Sequence, residues 1–404
     1  MDEKINTAEL QHHGVKGQKW GVRRTPAQLG HKPAGKKKKK KAKSGAFGRF
    51  VRRFLLLVFT VVLLAAGALL MVLNTVFNGP SEAARDVLTM SLSEASATKW
   101  VPGIFLGDEK VAEIRGKSGA ALEEEFSDAS QVVINKDSAL PNSDEWAHYP
   151  DGIRSEEYKG ETYNAHIMII RDPAQIYMAT STEGAFSMDI PGTRIHNEVR
   201  DQGAIAAINA GAFNDDGSAN AYVGSIPAGL LMVNGEVKSN KFHELVPEEG
   251  FAGFTFDNIL VVAKSMTAEQ AKELGIRDGC EFGPVLIMNG TVNQEAYNAN
   301  SGYNPRTAIG QRADGAVIFL CIDGRQASSL GGTYRDVIDI MVEYGAVNAC
   351  NLDGGSSSVM MYLDSQGRYG ESGEYVMINS YSLLQSEPRR MPNFWMVRPA
   401  DKED

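Results

Sequence analysis

Gly345-Ala-Val-Asn-Ala-Cys-Asn-Leu-Asp-Gly-Gly-Ser-Ser-Ser-Val359 passes from small and apolar residues into an amide, a carboxylate, two glycines and three hydroxyls. The pattern is that of a strand ending abruptly in a polar turn, because a glycine pair lets the backbone bend sharply and approach a neighbour or ligand closely. It points to a sheet whose strand ends carry chemistry. A plain surface turn also uses Asp, Gly and Ser, so the rest of the chain has to discriminate.

Outward from this stretch, short apolar runs bounded by Gly, Asn, Asp or Pro recur. They lie at His166–Ile170, Ile205–Asn209, Gly229–Val233, Ile259–Ala263, Val285–Met288, Ala316–Ile322, Val347–Cys350 and Phe394–Val397, and each has the length and composition of a strand. Two stretches have helical spacing instead, Thr267–Leu274 and Thr333–Tyr344, the second with Val337, Ile340, Met341 and Tyr344 on one face. Many strands with few helices predict an α+β domain with a large mixed sheet over residues 151–404.

The first part of the chain is of another kind. Phe54–Phe77 is 24 residues without a charge, about 36 Å long as a helix, enough to span a bilayer. It is too long for the apolar core of a signal peptide and lacks a small-x-small cleavage pattern near its end, which predicts an uncleaved transmembrane helix. Residues 1–53 hold 16 Lys or Arg against 3 acids, and the remainder carries 25 basic and 47 acidic residues. Basic flanks stay in the cytoplasm, so the N-terminus is expected inside and the acidic C-terminal part outside the cell. The same position explains the Lys36–Lys41 run without invoking nucleic acid.

Residues 1–53 have too little apolar content to fold alone and are expected to be a disordered basic tail. Within them His12–Arg24 is oddly specific but carries no assignable chemistry. Ser81 to about Ala97 has helical composition after Gly79-Pro80, Trp100-Val-Pro-Gly-Ile-Phe105 is expected to break that helix, and Gly107–Asp144 is charged and irregular. Residues 78–150 are thus expected to form a membrane-proximal helical stalk.

Three cysteines, Cys280, Cys321 and Cys350, permit at most one internal disulfide and show no zinc-site spacing. In apolar runs a thiol is usually a small buried hydrophobe, so no chemistry is assigned to them.

Several apolar runs end in small polar clusters: Asn209-Ala-Gly-Ala-Phe-Asn214, Gly283-Pro-Val-Leu-Ile-Met-Asn-Gly290, Arg306-Thr-Ala-Ile-Gly-Gln311, Asp323-Gly-Arg-Gln326 and Asn351–Ser358. Polar groups at the ends of several strands commonly converge on one cleft. In order and wording these clusters resemble the phosphodiester glycosidase family, with Pro388-Arg389 matching an Arg before its last strand, over roughly residues 160–400. Ala210 and Ala212 depart from the usual Gly and Phe of the first turn, and Gln311 stands where a mammalian member has His, so no imidazole base is assumed there.

The resemblance implies hydrolysis of a sugar-1-phosphodiester at its glycosidic side. Such chemistry needs donors on the phosphate, a carboxylic acid that handles protons, and a second carboxylate that steadies an oxocarbenium-like centre or activates water. Arg306, Arg325 and Arg389 are the phosphate candidates, since a planar guanidinium holds two phosphate oxygens at once. Asp353 and Asp323 are the carboxylate pair. Asn209, Asn214, Asn289 and Asn351 offer amides to sugar hydroxyls, with Thr307, Gly354, Gly355 and Ser356 completing the expected binding wall.

Other chemistries fare worse. The serines invite a serine hydrolase, yet no GxSxG elbow is present and His148, His166, His196 and His243 lie in no base-identifying motif. Asn214-Asp-Asp-Gly-Ser218 lacks the Glu of a calcium loop, and Asp336 is expected to be an ordinary helix acid. The expected partners are a sugar-phosphate or glycopolymer substrate of a cell wall or capsule, and the membrane, with no metal, cofactor or nucleic acid. The alternative is a non-catalytic glycopolymer-binding module of the same fold.

Overall fold

The computed structural model describes residues 44–93, 98–115, 122, 124–133, 146–214, 223–299, 301–380 and 387–400. His12–Arg24, the Lys36–Lys41 run and positions 215–218 after Asn214 lie outside them. The chain divides into two compact units, Met1–Leu69 and Leu70–Asp404.

Helix α1 (Ser44–Phe77) contains the expected apolar span, and Arg49–Phe77 is long and apolar enough to cross a bilayer. Within the second unit α2 (Glu82–Ser93) follows as expected. The next stretch differs from expectation, because α3 (Val101–Leu106) and α4 (Asp108–Arg115) are helical where a break and irregular chain were anticipated. Pro102 sits in the first turn of α3, where its missing N–H has no helical partner to lose. Phe77 and Phe105 stack with ring centroids 4.9 Å apart.

The stretch expected to be a stalk also touches the sheet domain. Tyr303 N donates to Ser91 Oγ at 2.9 Å, and a Cβ at Gly302 would collide with the Ser91 backbone. Phe126 bridges Ala263, and Ser127 N donates to Val262 O at 2.8 Å.

The domain is α+β, as expected, with its strands in three larger sheets. The largest runs β1 (Ile153–Lys159), β2 (Asn164–Ile170), β15 (Val317–Ile322), β14 (Arg306–Arg312), β16 (Ala346–Leu352), β12 (Val285–Met288), β13 (Thr291–Val292). A second runs β10 (Leu260–Ala263), β9 (Phe251–Thr255), β11 (Ile276–Glu281), β7 (Gly229–Val233), β8 (Glu236–Lys241). The third runs β18 (Glu374–Met377), β17 (Met360–Asp364), β4 (Ala206–Asn209), β19 (Asn393–Val397), β3 (Ile176–Thr180), and β5 (Phe213–Asn214) pairs with β6 (Ile226–Pro227).

Every described strand pair is antiparallel, so the large sheet expected to be mixed is not. β15 and β16 run the same way but do not pair, because β14 lies between them. Between β15 and β16 the chain forms a helix, α8 (Tyr334–Glu343), the last of the series after α5 (Ile195–Asp201), α6 (Ala268–Glu273) and α7 (Gln294–Asn298).

α8 starts where a reciprocal cap forms: Thr333 Oγ1 accepts from Asp336 N, and the Asp336 carboxylate accepts from Thr333 N at 2.7 Å. Tyr334, Val337, Ile338, Ile340 and Met341 are buried, the last four in one cluster with Ile167, Ala308, Ile318 and Leu320 from one face of the seven-stranded sheet. The other face, through Met168, Ile309, Phe319, Cys350 and Leu352, joins Ile208, Met360, Trp395 and Phe254 from the other two sheets in the main core. All three cysteines are free and buried, and burial pushes each thiol well above its ordinary value.

Candidate active site

Antiparallel order decides which strand termini share an end of the sheet. Thr307 in β14 lies opposite Cys321 of β15 and Leu352 of β16, so the start of β14 meets Asp323 and Asp353. Asn209, at the end of β4, reaches the same place from the third sheet. Its Nδ2 donates to Thr307 Oγ1 at 3.1 Å and to Asp353 O, while its Oδ1 accepts from Val359 N at 3.1 Å. Thr307 Oγ1 donates to Asp353 O at 2.7 Å, and Asp353 N donates to Ala210 O at 3.0 Å. Two sheets are thereby stapled through the backbone of Asp353, whose side chain is half-buried. Asn209 and Thr307 are thus spent on holding this loop.

The glycines have steric reasons. A Cβ on Gly354 would lie 2.8 Å from Pro305 O, and Gly355 has φ of 61° while its N–H donates to Pro305 O at 2.8 Å. The tight loop brings two guanidinium groups close. Arg325, exposed and itself at φ 57°, has its Nη2 3.2 Å from where a Gly355 Cβ would stand and donates to Asn304 Oδ1 at 3.1 Å. Arg389 Nη1 donates to Ser356 Oγ at 3.4 Å, with its guanidinium 4.7 Å over the Phe213 ring. Two cations against a loop of small residues form a surface suited to a phosphate.

Asp323 is deeper, at 3 % exposure. Its Oδ1 accepts from Ser380 N at 2.9 Å, and its Oδ2 lies 3.2 Å from His166 Nε2. Asn351 is buried and donates from Nδ2 to Gly283 O at 2.8 Å.

Two expected residues, Arg306 and Asn289, are placed differently. Arg306 is adjacent to Thr307 in a strand and so faces the opposite side, where its guanidinium stacks 4.3 Å over Tyr334 and donates to Gly332 O and Gly302 O. That side chain supports loops on the α8 side of the sheet. Asn289 lies at the far end of the sheet, since β12 carries Gly283 near one terminus and Asn289 at the other; its Oδ1 accepts from Asp128 N at 2.8 Å and its Nδ2 donates to Glu124. Asn214 closes the short β5 and pairs with Ile226.

Asn351 Oδ1, Ser358 Oγ, Asn393 Nδ2 and His166 Nδ1 are buried without a hydrogen-bond partner among the described residues. Leaving such groups unpaired costs roughly 1–3 kcal/mol each; Asn351, opposite Ala308, faces the α8 side of the sheet as Arg306 does, whereas His166 faces the main core. His166, Asn379, Ser380 and Asn393 carry no sequence signal that ties them to this end of the sheet. In the sequence His166 shows only as the polar residue that opens the apolar run His166–Ile170.

Residues 202–398 match the model of the phosphodiester glycosidase family, and residues 4–27 match that of a family of unknown function. An uncharacterised SPβ-prophage-derived protein of Bacillus subtilis (strain 168), YomE, is 36% identical over 87 residues, which is 21% of this chain and 14% of that relative. The chain therefore aligns with only a small part of that relative's length. Among solved structures, the catalytic domain of zebrafish N-acetylglucosamine-1-phosphodiester alpha-N-acetylglucosaminidase, auto-inhibited by its pro-peptide, aligns with a TM-score of 0.48 at 16% identity, over 63% of this chain and 85% of that one. A hypothetical protein from Synechocystis aligns with a TM-score of 0.39 at 15% identity, over 61% and 62%.

Proposed function

We propose that this chain, whose residues 202–398 form a domain of the phosphodiester glycosidase family, hydrolyses the glycosidic side of a sugar-1-phosphodiester. The observation that carries this reading is the convergence of Asp353, Arg325 and Arg389 on the Gly354-Gly355-Ser356 loop. Arg325 and Arg389 hold the phosphate and stabilise the charge it gains as the bond breaks. Water attacks the anomeric carbon, the C1–O bond breaks, and its electron pair leaves on the phosphate oxygen. Asp353 takes the proton of the attacking water, and Asp323, expected as its partner carboxylate, is buried with both oxygens hydrogen-bonded and supports the site without touching substrate. The products are a free sugar and a phosphomonoester.

The span Arg49–Phe77 anchors the chain as a single-pass membrane protein, and the basic excess before it orients the domain outward. The substrate on that side is a cell-wall or capsular glycopolymer with sugar-1-phosphodiester linkages.

The test uses the full chain in nanodiscs with a synthetic N-acetylhexosamine-1-phosphodiester and with phosphodiester-linked wall polymer. Equimolar free sugar and phosphomonoester are expected. Binding of either substrate without release of sugar would overturn the enzymatic reading in favour of a binding module.

A further inference from the structure

His166 lies outside the stretch matched by the family model and has no part in the phosphate or loop contacts above. It continues the inward row of β2, whose next members Met168 and Ile170 are in the core. Its cross-strand neighbours are Glu157 in β1 and Cys321 in β15. The imidazole side chain is 7% exposed and the Asp323 side chain 2%, with 3.2 Å between Nε2 and Oδ2. An imidazole pointing Nε2 at a carboxylate donates from that nitrogen, which makes Nδ1 the acceptor in the neutral ring. Nδ1 has no partner among the described residues, so the hydrogen bond to Asp323 is what fixes the ring.

Asp323 in turn is a junction. Its Oδ1 accepts from Ser380 N at 2.9 Å, and Gln326 Nε2 donates to Ser380 O at 2.9 Å. The preceding Asn379 accepts from Met360 N at 2.8 Å and donates to Ser358 O at 3.2 Å. Asp323 also opens the turn that places Arg325 against Gly355. A chain of contacts therefore runs from His166 through Asp323 and Asn379–Ser380 to Ser358, the last hydroxyl of the Asn351–Ser358 loop. One carboxylate positions both the phosphate-binding arginine and the far side of that loop.

We propose that His166 is a positioning residue, which donates Nε2–H to Asp323 and so holds the Asp323–Arg325 turn and the Asn379–Ser380 segment around the Asp353 loop. This rests on the reaction proposed above for its effect on turnover, and on geometry alone for its effect on Ser380. An Asp323 that loses this donor keeps one hydrogen bond and a buried, less compensated charge, and its turn shifts. Misplacement of a catalytic group by about 1 Å costs on the order of a hundredfold in rate.

The test exploits two amides. In His166→Gln the side-chain NH2 stands in for Nε2, whereas in His166→Asn it stands in for Nδ1 and does not reach Asp323. In the full chain, His166→Asn is expected to lower kcat by about a hundredfold with KM within a few-fold, and to speed hydrogen exchange of the Ser380 amide by about tenfold. His166→Gln is expected to retain most of both. Wild-type exchange and kcat in His166→Asn, or equal loss in the two variants, would overturn the proposal. Nitrogen NMR of the wild-type imidazole decides without any variant: a proton on Nε2 is expected, and a neutral ring protonated on Nδ1 would overturn it. Should no phosphodiester yield sugar, the proposed reaction fails, while Ser380 exchange and the tautomer still decide the role of His166.

Discussion

The two ends of the seven-stranded sheet both carry buried amides, yet they do different things with them. At the far end Gln311, fully buried, accepts from Leu260 N at 2.6 Å and donates to Asn258 O and Gly315 O at 3.0 Å. Asn348 there accepts from Asn289 N and donates to Leu260 O. These side chains spend their capacity on neighbouring backbone and fasten the second sheet to the first. At the other end Asn351, Ser358, Asn393 and His166 keep polar atoms unpaired among the described residues, and two guanidinium groups lie against Gly355 and Ser356. A polar strand terminus is therefore no sign of a site until its hydrogen bonds are accounted for.

The sharpest way to break this contrast is Asp353→Asn, expected to lower kcat about a thousandfold with a thermal midpoint near wild type. A folded Asp353→Asn with normal kcat would erase the distinction between the ends. Gln311→Ala should do the reverse, leaving kcat unchanged while lowering unfolding free energy by about 3 kcal/mol, because three backbone groups lose their partner; denaturant titration checks it. Arg389→Ala is expected to lower kcat/KM about tenfold to a hundredfold through phosphate binding, read in steady-state kinetics at fixed salt. Asn289→Ala, its contacts on exposed chain at the far end, should cost about 1 kcal/mol or less and leave kinetics untouched.

A smaller effect concerns acid stability. Burial works to raise the Asp364 carboxyl, but the N–H groups of Tyr369, Arg368 and Gly370 outweigh it and the net shift is downward. A depressed folded-state value adds stability above the ordinary carboxylate value of about 4, and that stability is lost as pH falls through the folded value. Denaturant midpoints should therefore fall less steeply below about pH 4 in Asp364→Asn than in wild type.

Much of this was legible because the signals are local. The apolar runs of β2, β7, β12, β15 and β19 and the one-sided spacing of α8 mark buried elements by composition. β1 and β8 escaped notice because they are polar edge strands, with burial on part of one face only. The Asn351–Ser358 loop was readable from its glycines. Arg306 was not, since adjacent residues of a strand face opposite sides and one strand alone does not say which side holds ligand. Gly283 and Asn289 share a motif yet stand at opposite ends of β12. The His166 to Asp323 pair spans 157 positions, a distance across which only the strand order brings residues together.

The most direct test of the central claim is a paired assay of wild type and Asp353→Asn, full chain in nanodiscs, that follows ligand binding and sugar release from one sugar-1-phosphodiester. The account predicts equal binding, with release by wild type and loss of release in the variant. Equal release by both would contradict it.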